Sequence, residues 1–175
     1  MLRRVYQCES NSISGLRFVE EELPAPLAHE VQVEVKALGL NFADIFAILG
    51  LYEAAPKKPF IPGLEFSGVI TAVGSAIPGY AVGDRVMGVN FFGCYVSALN
   101  VDARYIKRMP EDWSFEGGAA HIVASLTAYY GLIDQCRLKK GETVLIQSAA
   151  GGVGLAALAI AKKYGCYAIG AVGSE

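Results

Sequence analysis

One stretch constrains this chain more than any other: Glu142-Thr143-Val144-Leu145-Ile146-Gln147-Ser148-Ala149-Ala150-Gly151-Gly152-Val153-Gly154. A charged turn leads into an apolar β run and then a corner of small residues, and an apolar helical segment follows from Leu155 to about Tyr164. Ala149, Gly151 and Gly154 occupy the three glycine positions of G-x-G-x-x-G, with Ala in the first. The first position serves a tight turn, the second lets a pyrophosphate approach the backbone, and the third lets helix and strand pack closely. The helix start, with Gly152 and Val153 in the corner, would offer free N–H groups and a partial positive charge to a phosphate. A second β run, Cys166 to Val172, completes a βαβ unit, which is the context a dinucleotide site needs. The competing reading is a tight βαβ corner that binds nothing.

Composition narrows the classes. At 175 residues and 53% hydrophobic content the chain has the means to bury a core in one large or two small domains. A net charge of −2, with no basic run, gives no reason to expect nucleic acid or anionic lipid as a partner. The cysteines Cys8, Cys94, Cys136 and Cys166 lie far apart and form no C-x-x-C pair, which argues against a structural zinc site and fits a reducing, cytoplasmic setting. Leu2-Arg3-Arg4-Val5-Tyr6 lacks the apolar core of a signal peptide. The longest apolar run, Val153 to Ala161, is too short to span a bilayer and reads as a buried helix beside a parallel sheet.

Residues 1 to about 112 read as β-rich. Glu30 to Ala37 alternates cleanly, so one face is expected buried and one wet; Phe66 to Val73 and Arg85 to Val89 are further strands. Prolines and glycines punctuate them, which suggests a small barrel or sandwich. Asn41 to Leu49 has apolar residues at helical spacing and ends before Gly50. A long helix is expected from Ser114, its N-cap, to about Ile133, interrupted early by Gly117-Gly118. Within the last helix, Leu155, Leu158 and Ala159 are expected in the core.

The order of these motifs resembles the zinc-independent medium-chain dehydrogenase/reductases, in their quinone oxidoreductase and VAT-1-like branch. Four segments carry the resemblance: Gly39-Leu40-Asn41-Phe42-Ala43-Asp44 with Gly50-Leu51-Tyr52, Pro62 to Val69, Val82-Gly83-Asp84-Arg85-Val86, and Ser148 to Gly154. The resemblance implies an α+β fold: a GroES-like β-barrel domain over 1–112, then a linking helix and the first βαβ unit of an α/β Rossmann domain over 113–175. In zinc-dependent relatives a Cys lies three residues before the Asp of the first motif, a His precedes the Glu of the second, and a third ligand lies four before the Thr of the long helix. Those positions are Asn41, Leu64 and Val123 here, and none supplies a Cys or His ligand, so no metal is expected.

The resemblance also implies roles. Asn41, Tyr52 and Thr127 would position nicotinamide and substrate as catalytic residues, with Asn41, Asp44 and Thr127 also on the cofactor side. Ala149, Gly151, Gly152, Val153 and Gly154 would hold the pyrophosphate. Asn41 has a plainer reading as a helix cap, Asp44 as a first-turn acid and Tyr52 as a half-buried aromatic. His121 is expected in a surface or packing role, because two residues of helix rotate it about 200° from Val123. Glu65 is expected to brace the barrel rather than carry protons.

An acidic residue roughly twenty positions past the Gly motif would bind the ribose hydroxyls of NADH. That count reaches Gly173 and Ser174, so NADPH is the expected cofactor, although a two-residue shift would bring in Glu175. The expected activity is NADPH-dependent reduction of quinones or α,β-unsaturated carbonyls. The alternative is a non-catalytic VAT-1-like binding or regulatory module, and a third class is the enoyl-reductase module of a polyketide synthase. After two strands, no sequence remains for the rest of a Rossmann sheet. A fragment with little turnover of its own, or a homo-oligomer covering its bare edges, is therefore expected.

Overall fold

The structure, a computed structural model, describes residues 1–173. Contacts divide the chain into two units, one spanning Met1–Ala120 and one from His121 onward. The first is built on antiparallel pairing. Strand β1 (Leu2–Cys8) forms a hairpin with β2 (Leu16–Glu22), in register from Leu2↔Glu22 to Cys8↔Leu16. Strands β3 (Glu30–Leu38), β4 (Glu65–Val73), β5 (Arg85–Val89), β6 (Ala98–Asp102) and β7 (Ile106–Arg108) form one sheet in the order β6-β3-β4-β5-β7. Val31, Val33, Phe66, Ile70, Val86 and Leu99 fill its core. Isolated bridges Val5↔Val96 and Cys8↔Phe60 tie the hairpin to the rest of the unit.

Two helices belong to this unit. Helix α1 (Phe42–Ile48) buries Ala47 and Ile48, which cluster with Cys8, Phe60 and Phe92. Helix α2 (Phe115–Ala119) is capped by Ser114, whose Oγ accepts the Gly117 N–H at 3.1 Å, and held by the Ser67 hydroxyl, which donates to Phe115 O at 2.5 Å.

The second unit holds α3 (Ile122–Tyr129), a π-helical turn (Tyr130–Gln135), β8 (Thr143–Gln147), α4 (Gly152–Lys163) and β9 (Tyr167–Ala171). β8 and β9 pair in parallel, Thr143↔Tyr167 to Gln147↔Ala171, so the βαβ unit is present.

Four expectations need correction. β3 does not alternate cleanly: Val31, Gln32 and Val33 are all buried, because the strand bulges after Gln32 and the Gln32 amide donates to Pro24 O and Asn100 Oδ1, each at 3.1 Å. The long helix breaks at Ala120–His121, not at Gly117-Gly118; those glycines lie inside α2, where Gly118 packs against Met109 and Ser67. That packing makes α2 part of the first unit, whereas the sequence reading placed the linking helix with the second. In α4 the buried stripe is Gly154, Ala157 and Ala161, and Leu155 and Ala159 lie on the exposed face.

The second unit therefore presents apolar surface. Leu145 is 63% exposed and Ile169 55%, and among the described residues the outer edges of β8 and β9 are unpaired. Unpaired edges and apolar patches favour association. The purified 175-residue chain should elute larger than a monomer on size exclusion, and a monomeric profile at the highest soluble concentration would overturn this expectation.

Candidate active site

The corner after β8 is shaped by backbone hydrogen bonds. Ser148 takes a positive φ of 52°, and its carbonyl accepts the Gly151 N–H at 2.9 Å. Ala149, buried, donates its N–H to Ala171 O at 3.0 Å, which ties the corner to the end of β9. Gly151 is the N-cap of α4, with extended backbone at φ −80° and ψ 167°. The first intrahelical bond runs from Leu155 N–H to Gly151 O at 2.8 Å. The N–H groups of Gly152, Val153 and Gly154 precede that bond, so they have no carbonyl within the helix to serve them. Gly151's own N–H is spent on Ser148, so the uncommitted donors at this helix start are those of the next three residues.

The motif glycines divide their tasks. A Cβ on Gly154 would lie 2.4 Å from Ser148 O and 2.6 Å from Ala149 Cα, so the helix can sit this close to the corner only without one. A Cβ on Gly151 would meet only Ser148 O, at 3.3 Å, and otherwise open space. Closeness is thus built at position 154, and an open approach at 151. A pyrophosphate fits such a cradle. Gly173 is exposed, two residues beyond β9, and Ser174 and Glu175 lie outside the described residues.

Thr127 is exposed on α3, and its hydroxyl donates to Val123 O at 2.7 Å. With its hydrogen committed to its own helix, Thr127 offers a ligand lone pairs only. His121 precedes α3 and is exposed, with its ring 3.4 Å from Ser125 Oγ.

In the first unit, Asn41 caps α1 and is half-buried. Its backbone N–H donates to Asp44 Oδ2 at 2.9 Å, and its Nδ2 donates to Glu65 Oε1 at 2.8 Å. Tyr52 is 40% exposed and meets Phe92 edge-on at 6.2 Å. Phe92 holds a positive φ of 69°, rare for a bulky side chain.

Asp44 departs from its expected place. It is 1% exposed, and its carboxylate faces inward, so it offers a cofactor no surface. Oδ2 also accepts the Tyr95 hydroxyl at 3.1 Å, while Oδ1 lacks a well-aligned partner. Burial pushes the Asp44 carboxyl above its usual range, partly offset by the Asn41 N–H, the Tyr95 hydroxyl and the Gly63 N–H. Burial first, then the Asp44 charge, pushes the Cys94 thiol up to about 12. Cys94 is therefore no nucleophile at neutral pH. Nothing in the sequence pointed to Tyr95, whose partner lies 51 positions away.

The alcohol dehydrogenase GroES-like domain matches residues 27–173. The chain belongs to that family. Its likenesses place it with the zinc-independent medium-chain dehydrogenase/reductases. The human synaptic vesicle membrane protein VAT-1 homolog-like is 35% identical over 155 residues, 89% of this chain and 37% of that protein. Its crystal structure superposes with a TM-score of 0.92 and 32% identity, covering 97% of this chain and 56% of that one. The CurK enoyl reductase gives 0.88 and 34%, covering 97% and 53%. Escherichia coli quinone oxidoreductase, complexed with NADPH, gives 0.85 and 36%, covering 99% and 53%. The chain thus spans about half the length of these solved relatives.

Among the described residues no group of three or more His, Cys, Asp and Glu side chains is arranged to hold a metal ion. With Asn41, Leu64 and Val123 at the ligand positions of zinc-dependent relatives, metal analysis of the purified protein should find well under one zinc per chain. A value near one would overturn that expectation.

Proposed function

We propose that this protein is an NADPH-dependent reductase of quinones or α,β-unsaturated carbonyls. The observation that carries the reading is the run of three N–H groups at Gly152–Gly154, left open by Gly151 and pinned close to the strand by Gly154. It is supported by likeness to a quinone oxidoreductase that carries NADPH and to an enoyl reductase. When bound, the nicotinamide supplies the hydride, and the protein supplies binding and orientation. Gly152, Val153 and Gly154 hold the pyrophosphate. Thr127 offers its lone pairs to the nicotinamide end. Tyr52, half-exposed beside Phe92, offers a hydroxyl to the acceptor oxygen. Asp44 acts only beneath the surface, by holding the start of α1.

Gly173 leaves room for a 2′-phosphate where a carboxylate would repel it. Equilibrium titration should therefore give tighter binding of NADPH than of NADH. Tighter NADH binding would mean that an acid, Glu175, reaches the ribose. Absence of saturable binding of either cofactor would refute the reading for this chain. Turnover is read separately, as NADPH oxidation with a naphthoquinone or an enone. Because the chain spans half of its solved relatives, little turnover is expected from it alone.

A second reading is a binding module without chemistry, favoured by the likeness to the VAT-1 homolog-like protein. Among the described residues no helix is long and apolar enough to cross a membrane. Co-sedimentation with phospholipid vesicles, without NADPH binding, would select this reading.

A further inference from the structure

In the first unit, β3 begins and β4 and β6 end at one end of the sheet, whereas Asn41 follows the other end of β3 and Glu65 starts β4. β4 is nine residues long, which sets the two ends roughly 25 Å apart. At the end away from Glu65, segments 27–30, 74–80 and 102–105 are tied to one another. Ala76 donates its N–H to Ala28 O at 2.9 Å, Ala103 to His29 O at 3.2 Å and Gly74 to Glu30 O at 2.8 Å. These segments frame an open groove of about 600 Å³. Ile77, Tyr80 and Ala103 line it and pack against the core beneath, and His29, Asp102 and Arg104 bring its polar groups.

Most polar hydrogens of the groove are already spent. Beyond the bonds of Ala76 and Ala103, the Ile77 N–H goes to Gly74 O at 3.2 Å, and Pro78 has none. The Tyr80 hydroxyl donates to Ile106 O at 3.1 Å. Asp102 Oδ1 accepts from Arg104 N at 2.9 Å and Nε at 3.1 Å, and Oδ2 from Nε at 3.1 Å and Nη2 at 2.8 Å. The side-chain bonds of Arg104 first, then its backbone N–H, hold the Asp102 carboxyl down to about 2. Asp102 is therefore an ionised acceptor with both oxygens engaged. Among the described residues nothing engages Arg104 Nη1, which keeps its hydrogens on a guanidinium pinned by Asp102 and lying 5.7 Å from the Tyr105 ring. His29 adds at least one ring N–H in either charge state. The unspent side-chain hydrogens thus call for a ligand whose polar end accepts and whose body is apolar. A peptide strand is poorly served, because the wall N–H groups that would pair with it are taken.

We propose that this groove binds a small-molecule carboxylate with an apolar body, its carboxylate on Arg104 and its body over Ile77 and Tyr80. Charge-assisted bonds to a guanidinium are strong, and Arg104 is already ordered by Asp102, so its rotamer freedom is not lost again on binding. The site lies wholly within the first unit and does not depend on the reductase reading.

The test titrates the 175-residue chain with 3-phenylpropanoate and with its neutral isostere 3-phenylpropanamide, read by backbone amide NMR shifts. The carboxylate should saturate at millimolar concentration, with its largest shifts at 76–80 and 103–105, and should bind roughly tenfold or more tighter than the amide, the scale of one hydrogen bond to a charged group. Arg104→Gln spends its one amide NH₂ on Asp102 and should remove that preference. Ala76→Asp sets a negative charge on the exposed wall without touching the ion pair, and should weaken the carboxylate by roughly tenfold while sparing the amide. If Arg104→Gln fails to fold, Ala76→Asp still decides. Equal affinity for the acid and the amide overturns the inference. So do the absence of saturation, shifts centred on Gly152–Gly154 instead of the groove, or wild-type affinity for the carboxylate in a folded Ala76→Asp variant.

Discussion

Gly151→Val should leave both units folded and remove saturable NADPH binding. The backbone at Gly151, φ −80° and ψ 167°, is open to any residue. A Cβ there meets only Ser148 O, at 3.3 Å, a contact relieved by a shift of a few tenths of an ångström. Exchanging Gly for a branched residue at an N-cap costs about 1 kcal/mol. The two added methyl groups stand beside the Gly152–Gly154 N–H groups, where the pyrophosphate must approach the backbone. Each hydrogen bond to a charged phosphate is worth about 1.5–3 kcal/mol, so loss of two weakens binding roughly a hundredfold or more. Circular dichroism should show a near-wild-type melt while titration shows no saturation. Wild-type-like affinity in a folded variant would remove the phosphate-cradle reading.

What the sequence made legible is what short-range rules govern. Arg85–Val89 matches its observed span, and the βαβ corner needs only a strand, small residues and a helix in order. The β1–β2 hairpin was not legible. β2 reads Leu16-Arg17-Phe18-Val19-Glu20-Glu21-Glu22, too charged to look like a strand. It is held by partners across the hairpin: Arg3 on Glu21 at 2.6 Å, and Tyr6 edge-on to Phe18 at 5.4 Å. The misread face of α4 has a related cause. Periodicity finds large apolar residues, but contact with the corner and Ile146 selects small ones, Gly154 and Ala157, and leaves Leu155 outside.

The same division appears among the site residues. Gly151 and Gly154 are readable because the corner's geometry depends directly on their lack of a side chain. Asp44 reads as a first-turn acid, yet Tyr95 and Asn41 draw its carboxylate inward. Glu65 could be given a bracing role from sequence, but its partner could not, because only the fold brings β4 beside the start of α1.

Gly154→Ala should unfold the second unit, although alanine is the better helix former. Its Cβ would lie 2.4 Å from Ser148 O, 2.6 Å from Ala149 Cα and 2.8 Å from Ala149 C. All three are backbone atoms, so no rotamer change relieves the clash. Either α4 lifts from the corner, or the corner shifts and strains the Ala149–Ala171 hydrogen bond that ties it to β9. Lifting α4 uncovers Ala157 and Ala161 and separates Ala157 from Ile146 and Ala128. Overpacking ordinarily costs about 1–3 kcal/mol, and a clash with backbone on both sides lies at or above the top of that range. Whole domains are stable by only about 5–15 kcal/mol, and a unit built on two strands has less to lose. Gly152→Ala is the matched control, since its Cβ would meet only Ala124 Cβ at 3.5 Å, an ordinary contact. Amide exchange should show β8, α4 and β9 unprotected in Gly154→Ala and protected in Gly152→Ala, with the β3–β4 core of the first unit protected in both. Equal protection of α4 in the two variants would show that the corner yields, and that position 154 does not set the helix–strand distance.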